Sequence, residues 1–327
     1  MKQLRMILYT AGTISLLLLL NGCQRSQTTG GWEAQPAITA QTLKEEGAVT
    51  FIDDLGREIT VSNPRKVGAL IGSFTDIWML AGGEVAAAAN DSWESLKLDL
   101  EEDVVNLGSI LEPDIEKLLA AEPDLVLGSV NTDGNLAMED ILTQAGIPVA
   151  YFGVSNFDEY LHMLDICTQI TGRRDLYEEN GLKVQRQIEE TKKRIDGSKP
   201  TVLFLRASAS GVKAKGSRDN VCGEMLSDLG CINIADSNEG LLEDLSMEAI
   251  ILADPEYIFV TTQGTNYDAA MQNVEELLLS NPAWASLTAV QKGNYYVLDK
   301  RLYNLKPNAR WGTAYQQLAD ILYPEGD

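Results

Sequence analysis

Short apolar runs alternate with amphipathic segments from about residue 48 to the C-terminus. Runs rich in Val, Ile and Phe predict β-strands, and segments with apolar residues at helical spacing predict the helices between them. The first two strand-like runs, in residues 51–61, predict a hairpin around an Asp-Leu-Gly turn. Strands that alternate with helices favour parallel sheets covered on both faces. We therefore expect an α/β protein with mainly parallel sheets.

One helix-to-strand unit occurs twice in the chain. Residues 115–129 (IEKLLAAEPDLVLGS) align with residues 247–261 (MEAIILADPEYIFVT) at an offset of 132 positions (247 − 115). A glutamate, an alanine and a proline are identical in the two copies, and the proline ends each helix before its strand. Two halves with the same order of elements predict two similar lobes.

A charged segment with apolar residues at helical spacing separates the two halves. It covers residues 174–196, and 23 residues in a helix would span about 34 Å. A single helix is a stiff connector. We therefore expect lobes at residues 48–173 and 197–327 that move little relative to each other.

The N-terminal residues have the pattern of a targeting segment. Two basic residues precede an apolar run at residues 6–20, which at about 1.5 Å per residue is shorter than the roughly 30 Å hydrocarbon core. Residues 1–22 are thus predicted to be a signal peptide. The sequence LNGC that ends at Cys23 resembles a bacterial lipobox, which implies cleavage before Cys23 and lipidation of its thiol; the alternative is an ordinary secretory signal. Polar residues 23–47 then form a lipid-anchored flexible tether at the extracytoplasmic face of the cell membrane.

Composition excludes some partners and leaves the cysteines open. The chain is 45% hydrophobic and 23% charged, as in ordinary globular proteins, and its net charge of −22 argues against nucleic acid. Cys167, Cys222 and Cys231 lie among apolar residues, which favours small buried side chains. A bridge between Cys222 and Cys231 remains an alternative.

Several segments together resemble a known family. They are FIDDLGREITVSNPRKV at residues 51–67, both copies of the repeated unit, the mid-chain helix and KPNARWGTAYQQLADILY at residues 306–323. In this order they are similar to the helix-linked substrate-binding proteins of bacterial ABC importers for iron–siderophore complexes, haem and cobalamin. The resemblance implies two Rossmann-like lobes joined by one long rigid helix, with a small chelate or tetrapyrrole held in the cleft between them. It also implies a monomer that delivers this ligand to an ABC permease dimer with its ATPase subunits.

The resemblance gives the repeated glutamates a role. In this family an exposed glutamate on each lobe docks into a basic pocket of a permease subunit, and these glutamates correspond to Glu116 and Glu248. Asp114 and Ser246 are candidate N-caps, which would place each glutamate in a first helical turn. The alternative is that each glutamate serves only its helix, because the macrodipole favours an N-terminal carboxylate by about 0.3–1 kcal/mol.

Ligands of such folds bind at loops that follow the carboxyl ends of strands. These loops are predicted at residues 72–76, 90–95, 128–135, 206–219, 261–268 and 299–310. Among the basic residues in the loops of the second half are these seven: Arg206, Lys213, Lys215, Arg218, Arg301, Lys306 and Arg310. This cluster suits an anionic ligand such as a ferric catecholate or hydroxamate complex or haem propionates, and we expect about two of the seven to contact it. Arg206 and Lys213 are the first choices, and a structural role is the alternative for Arg310.

Aromatic side chains in these loops are candidates for stacking on a flat or conjugated ligand. We expect Phe74, Trp93 and Tyr303 to take this role, with Ser73 beside them. The other tryptophans of the globular part occur in helical or apolar surroundings and are expected in the core: Trp78, Trp284 and Trp311.

Metal chemistry and catalysis are not indicated. The one histidine, His162, lies in a helical segment and is expected to be packed, so side chains should not capture a metal and iron would arrive already chelated. The chain lacks G-x-G-x-x-G after its first strand, a P-loop and a nucleophile–His pairing, so we expect a non-enzymatic binding protein without a cofactor. Haem or cobalamin as the ligand, and a sensing or scavenging lipoprotein without a permease, remain alternatives.

Overall fold

The computed structural model describes residues 47–243 and 245–324. The predicted signal peptide, Cys23 and all but the last residue of the predicted tether lie outside these ranges. In the part of the chain that is described, no helix combines the length and apolar character needed to cross a membrane.

Two mainly parallel five-stranded sheets and one hairpin form the β-structure. The strands are β1 Ala48–Ile52, β2 Glu58–Ser62, β3 Val67–Ala69, β4 Val85–Ala88, β5 Val105–Asn106, β6 Leu125–Ser129, β7 Val149–Phe152, β8 Thr201–Ser208, β9 Gly211–Lys215, β10 Ile232–Asn233, β11 Tyr257–Thr262 and β12 Tyr295–Val297. The first sheet has the order β5-β4-β3-β6-β7, and the second has β10-β8-β11-β12 with β9 antiparallel to β8. The α/β class and the β1–β2 hairpin are confirmed.

Helices follow the strands of both sheets. They are α1 Gly72–Leu80, α2 Asp91–Glu94, α3 Ile115–Ala120, α4 Asp133–Leu136, α5 Glu139–Gln144, α6 Phe157–Thr171, α7 Arg174–Tyr177, α8 Lys183–Lys192, α9 Val221–Asp228, α10 Glu239–Glu243, α11 Met247–Ala253, α12 Tyr267–Val274, α13 Thr288–Gln291, α14 Lys300–Tyr303 and α15 Trp311–Leu322. A π-helical turn, Glu178–Leu182, joins α7 to α8. All residues of β6 and β7 are buried, because helices cover both faces of the sheet.

The mid-chain helix is shorter and less independent than expected. Its last helical residue is Lys192, four residues before the predicted end at residue 196. One face of α8 is buried at Val184 and Ile188, in the same apolar cluster as α15. After the helix, the guanidinium of Arg194 donates to two backbone carbonyls at the end of α15, at 3.2 and 2.6 Å. The segment is therefore anchored along its length by the last helix.

A single apolar cluster connects the two sheets. It contains Phe152 of β7, Phe204 of β8 and Phe259 of β11, together with the fully buried Trp311 of α15. The ring of Trp311 also packs edge-on against Phe157 of α6, with centroids 6.3 Å apart. The C-terminal helix thus supplies core side chains that both sheets share.

Two features of the fold were not predicted. Residues 211–215 were expected in a loop but form β9, and α6 is a 15-residue helix of which only the surroundings of His162 were anticipated. The expectation that His162 is packed is wrong. Its side chain is 52% exposed, and Nε2 lies 3.9 Å from Oδ1 of Asp54. It occupies the solvent side of α6, whose buried side is taken by apolar residues.

Candidate functional site

The repeated unit forms the same local structure in both halves. Oδ1 of Asp114 accepts a hydrogen bond of 3.0 Å from a backbone N–H in the first turn of α3, and Oγ of Ser246 accepts one of 3.3 Å in α11. Both predicted N-caps are confirmed. Glu116 and Glu248 are exposed in the first turns of their helices.

A second carboxylate in each copy holds the start of a neighbouring strand. Asp124 accepts hydrogen bonds from the N–H groups of Arg65 and Lys66, at 2.7 and 3.0 Å, just before β3. At the equivalent position, Glu256 accepts one of 2.9 Å from the N–H of Thr201 at the start of β8. The carboxylate directly after the proline of each copy therefore fixes the start of a strand, while the glutamate of the first helical turn faces solvent.

Three of the predicted loops meet at a pocket of about 590 Å³. Its walls include Glu94 and Ser95 from the first half, and Thr262, Gly264, Thr265, Tyr267, Val297, Leu298, Asp299 and Lys300 from the second. The ammonium of Lys300 donates to the carbonyl of Gly264 at 2.7 Å and to the hydroxyl of Ser95 at 3.3 Å. The carboxyl ends of β4, β11 and β12 thus converge on one cleft, as expected for parallel sheets.

Arg206 occupies the middle of a polar row across the second sheet. It pairs with Thr261 of β11 on one side and with Lys213 of β9 on the other, and paired residues share one face of a sheet. In the described structure Nε of Arg206 and Oγ1 of Thr261 are buried without a hydrogen-bond partner. Burial lowers the pKa of Arg206. The row therefore offers unsatisfied polar groups at the carboxyl end of the sheet.

Few carboxylates lie close to the seven basic residues. Among the described carboxylates, the only one within 4.0 Å of any of the seven is Asp76, 3.6 Å from Arg310. Burial lowers the pKa of Lys215, and the charges of Arg206 and Lys213 lower it further. Because part-buried cations without counterions are costly, an anion in the cleft would be stabilised.

Lys306 is the basic residue with the most perturbed pKa. The pKa of its ammonium is lowered to about 8, mainly by burial, with the positive charge of Arg206 acting in the same direction. The carboxylates of Asp91 and Glu159 act in the opposite direction. Lys306 therefore lies near both Arg206 of the second sheet and acidic side chains of the first half.

Two part-buried carboxylates of the first half interact with these cations. Burial raises the pKa of Asp76, and the side chain of Asn308, then Arg310 and Arg301, partly offset this. Burial likewise raises the pKa of Asp91. Carboxylates of the first half thus lie close to cations of the second half.

Asn308 ties the basic C-terminal loop to the first half. It is fully buried, and its Nδ2 donates to the carbonyl of Ser73 at 2.9 Å and to Oδ2 of Asp76 at 2.8 Å. Its φ of 54° lies in the left-handed region, where Asn is enriched among non-glycine residues. This residue was not singled out from the sequence, although an Asn beside a Pro in a loop is a turn signal.

Three of the predicted ligand contacts need correction. Phe74 is fully buried and packs edge-on against Phe152, so it has no free face for stacking in this structure. Tyr303 is 2% exposed, and its hydroxyl donates to the carbonyl of Ala314 at 3.0 Å. Ser73 is also buried, and its described contact is the carbonyl that Asn308 binds. All three take part in packing because the first residues of α1 and the last residues of α14 are buried.

Other aromatic residues are accessible at the cleft. Trp93 is part-exposed in α2, directly before the pocket residue Glu94. Tyr267 is 55% exposed and lines the pocket; its loop was predicted, but the ring was not. Of the predicted basic contacts, Lys215 and Arg218 line a second depression of about 670 Å³.

The remaining tryptophans and the thiols are structural. The core positions expected of three tryptophans are confirmed: Trp78, Trp284 and Trp311. Cys167, Cys222 and Cys231 are free thiols, and burial raises the pKa of each one. Within residues 47–243 and 245–324, no group of three or more His, Cys, Asp or Glu side chains could hold a metal ion.

Comparison with known proteins agrees with this geometry. Residues 67–302 match the model of a family described as "Periplasmic binding protein". The chain is 23% identical to the Iron-uptake system-binding protein of Bacillus subtilis over 314 residues, covering 94% of this chain and 95% of that protein. It is 21% identical to the Fe(3+)-citrate-binding protein YfmC of the same organism over 289 residues, covering 86% of each chain.

The fold also matches solved structures. The crystal structure of Staphylococcus aureus SirA complexed with staphyloferrin B superposes with a TM-score of 0.63 at 20% identity, covering 84% of this chain and 97% of that chain. The two mainly parallel sheets thus match class III periplasmic binding protein structures. The chain therefore belongs to the periplasmic binding protein family, the non-enzymatic substrate-binding proteins of ABC importers that bind siderophores, haem or cobalamin.

Proposed function

We propose that this protein is the extracytoplasmic substrate-binding lipoprotein of an ABC importer, and that it captures a chelated iron compound similar to a ferric siderophore. The observation that carries the ligand class is the cluster of basic residues in the second half's loops, of which only Arg310 has a described carboxylate within 4.0 Å. An anionic chelate would supply the missing counter-charge. Two relatives are named as an iron-uptake system-binding protein and an Fe(3+)-citrate-binding protein, which is consistent with an iron chelate as the ligand.

The residues divide into three roles toward such a ligand. Arg206 and Lys213 bind its acidic groups first, because they share a face with the unpartnered hydroxyl of Thr261. Trp93 and Tyr267 supply aromatic surface at the edge of the cleft. Contributions from other basic residues complete the charge: Lys215, Arg218, Arg301, Lys306 and Arg310.

The ligand is tested first by the absorption spectrum of the protein purified from its native host. A broad visible charge-transfer band supports a ferric chelate. A Soret band would instead identify the ligand as haem, and corrin bands would identify it as cobalamin. Direct titration with ferric citrate, a ferric catecholate, haemin and cobalamin then compares the four classes.

A charge variant tests the proposed contacts. Arg206→Gln should weaken binding of the anionic ferric chelate by about tenfold or more, because it removes a charge-assisted contact. Lys292→Gln is the matched control, since Lys292 is an exposed basic residue of the same half outside the cleft loops. Equal affinity of both variants and the unaltered protein would contradict the proposed site.

We further propose that Glu116 and Glu248 dock the protein on the two permease subunits. The support is their exposure at the same position of two copies of one structural unit. Glu116→Lys and Glu248→Lys should each abolish uptake and leave ligand affinity unchanged, while Glu58→Lys in the hairpin should affect neither. Unchanged uptake after both reversals would contradict the docking role of Glu116 and Glu248.

The anchor and the lobes complete the proposal. Lipidation of Cys23 would hold the mature chain at the membrane, and Cys23→Ser should release it into the soluble fraction, as measured by fractionation. Rossmann-like lobes at residues 48–173 and 197–327, joined by the rigid mid-chain helix, should change shape little on ligand binding. The shared core around Trp311 supports this expectation, and small-angle scattering with and without ligand tests it.

A further inference from the structure

The two copies of the repeated unit differ in what they expose beside the glutamate. Leu252 of α11 is 90% exposed, more than any other large hydrophobic side chain in the described residues. The equivalent position in α3 is Ala120. Ile251 is 37% exposed in α11, whereas its counterpart Leu119 is part-buried in α3. Helix α11 therefore presents apolar surface at two positions where helix α3 does not.

This apolar surface is continuous with the proposed docking carboxylate. Residues three and four positions apart lie on the same side of a helix, so Ile251 and Leu252 are neighbours of Glu248. We call Glu248, Ile251 and Leu252 the α11 patch. The opposite side of α11 is fixed in the core by Ile250, which is fully buried. The patch is thus held rigidly and faces outward.

On α3 itself the residue beside the glutamate is charged instead, and the exposed leucine of this region, Leu111, lies before the helix. Lys117 follows Glu116, and its ammonium lies 3.3 Å from Oδ2 of the N-cap Asp114. The α11 copy has Ala249 in place of this lysine. A single exposed leucine is ordinary on a protein surface. What distinguishes Leu252 is its place beside one glutamate of a matched pair.

We propose that the α11 patch is an apolar anchor for one permease subunit, so that the two ends of the protein dock by different means. The α11 end combines a carboxylate with apolar burial, whereas the α3 end relies on charge. The inference rests on the proposed importer function. A permease subunit is the occupant that fits, because the apolar surface adjoins the charge proposed to bind that subunit and the family serves ABC importers.

The test measures binding of the full mature chain to the permease–ATPase complex in lipid nanodiscs. Leu252→Ala should weaken this binding about tenfold and leave ligand affinity unchanged, because it removes most of one exposed leucine side chain from the interface. Leu277→Ala is the matched control, since Leu277 is 52% exposed on a different segment. Salt separates the charge-dependent contribution to this affinity from the apolar one. At high salt, Glu116→Lys should weaken binding less than at low salt, whereas the effect of Leu252→Ala should be unchanged.

The outcomes separate this inference from the proposed function. If the two glutamate reversals abolish binding and Leu252→Ala behaves like Leu277→Ala, the apolar anchor is refuted and the docking proposal stands. If the reversals also leave binding intact, both are refuted. A concentration-dependent dimer in sedimentation that Leu252→Ala dissolves would assign the patch to a second copy of the chain and overturn the permease assignment.

Discussion

The connection made by Asn308 allows a quantitative prediction. Asn308→Ala removes one hydrogen bond to a neutral carbonyl and one to a carboxylate, which together contribute about 2–4 kcal/mol. Alanine at a φ of 54° adds backbone strain of about 1–2 kcal/mol. The free energy of unfolding should therefore fall by about 3–6 kcal/mol. Asn308→Gly loses the same hydrogen bonds without that strain, so it should be about 1 kcal/mol milder.

Urea unfolding followed by tryptophan fluorescence measures both variants, with the buried Trp311 three residues away as one of the reporters. Asn304→Ala, in the same loop, is the control and should cost less than about 1 kcal/mol. If Asn308→Ala also costs less than about 1 kcal/mol, the side chain does not connect the halves as described. If the glycine variant costs as much as the alanine variant, the strain argument is wrong.

Three further results are expected. The pKa of Lys306 is about 8 in the folded chain against an ordinary 10.5, so the unfolded chain binds more protons between these values. The free energy of unfolding, measured by urea midpoints, should therefore rise with pH across that interval. Affinity for an anionic chelate, measured by titration, should fall above about pH 8, because the ammonium loses its charge. Lys306→Met should flatten both pH profiles. Gly134→Ala would overlap the carbonyl oxygen of Leu111 and should lower the thermal midpoint in calorimetry. Leu118→Ala opens a cavity at a fully buried position and should cost about 2–5 kcal/mol in urea unfolding, whereas no loss would place the side chain outside the core.

The sequence predicted those features that depend on local pattern. The hairpin, the order of strands and helices, and the N-caps Asp114 and Ser246 follow from spacing and residue type, and all are present. Strand β9 could have been predicted from the sequence, because the apolar Val212 and Ala214, which are buried, alternate with Lys213, which is exposed. That alternation is the period of a strand, but it was interpreted as a polar loop.

Side-chain direction at the cleft could not be obtained in this way. Phe74 and Tyr303 were correctly assigned to segments near strand ends, yet both point into the core, because packing against distant residues decides which face of a short helix is buried. The same holds for Asn308, whose partners lie more than 230 positions away in the chain. Contacts of that separation leave no periodic trace in the sequence.

The position of Trp311 in the shared core also has a consequence for biogenesis. A core that requires side chains from α15 cannot be completed until almost the whole chain has left the ribosome. Translation would therefore end before the two sheets could be joined by stable packing. If residues 1–22 act as the predicted signal peptide, this delay would keep the polypeptide competent for threading through a translocation channel, and folding would be completed on the far side of the membrane.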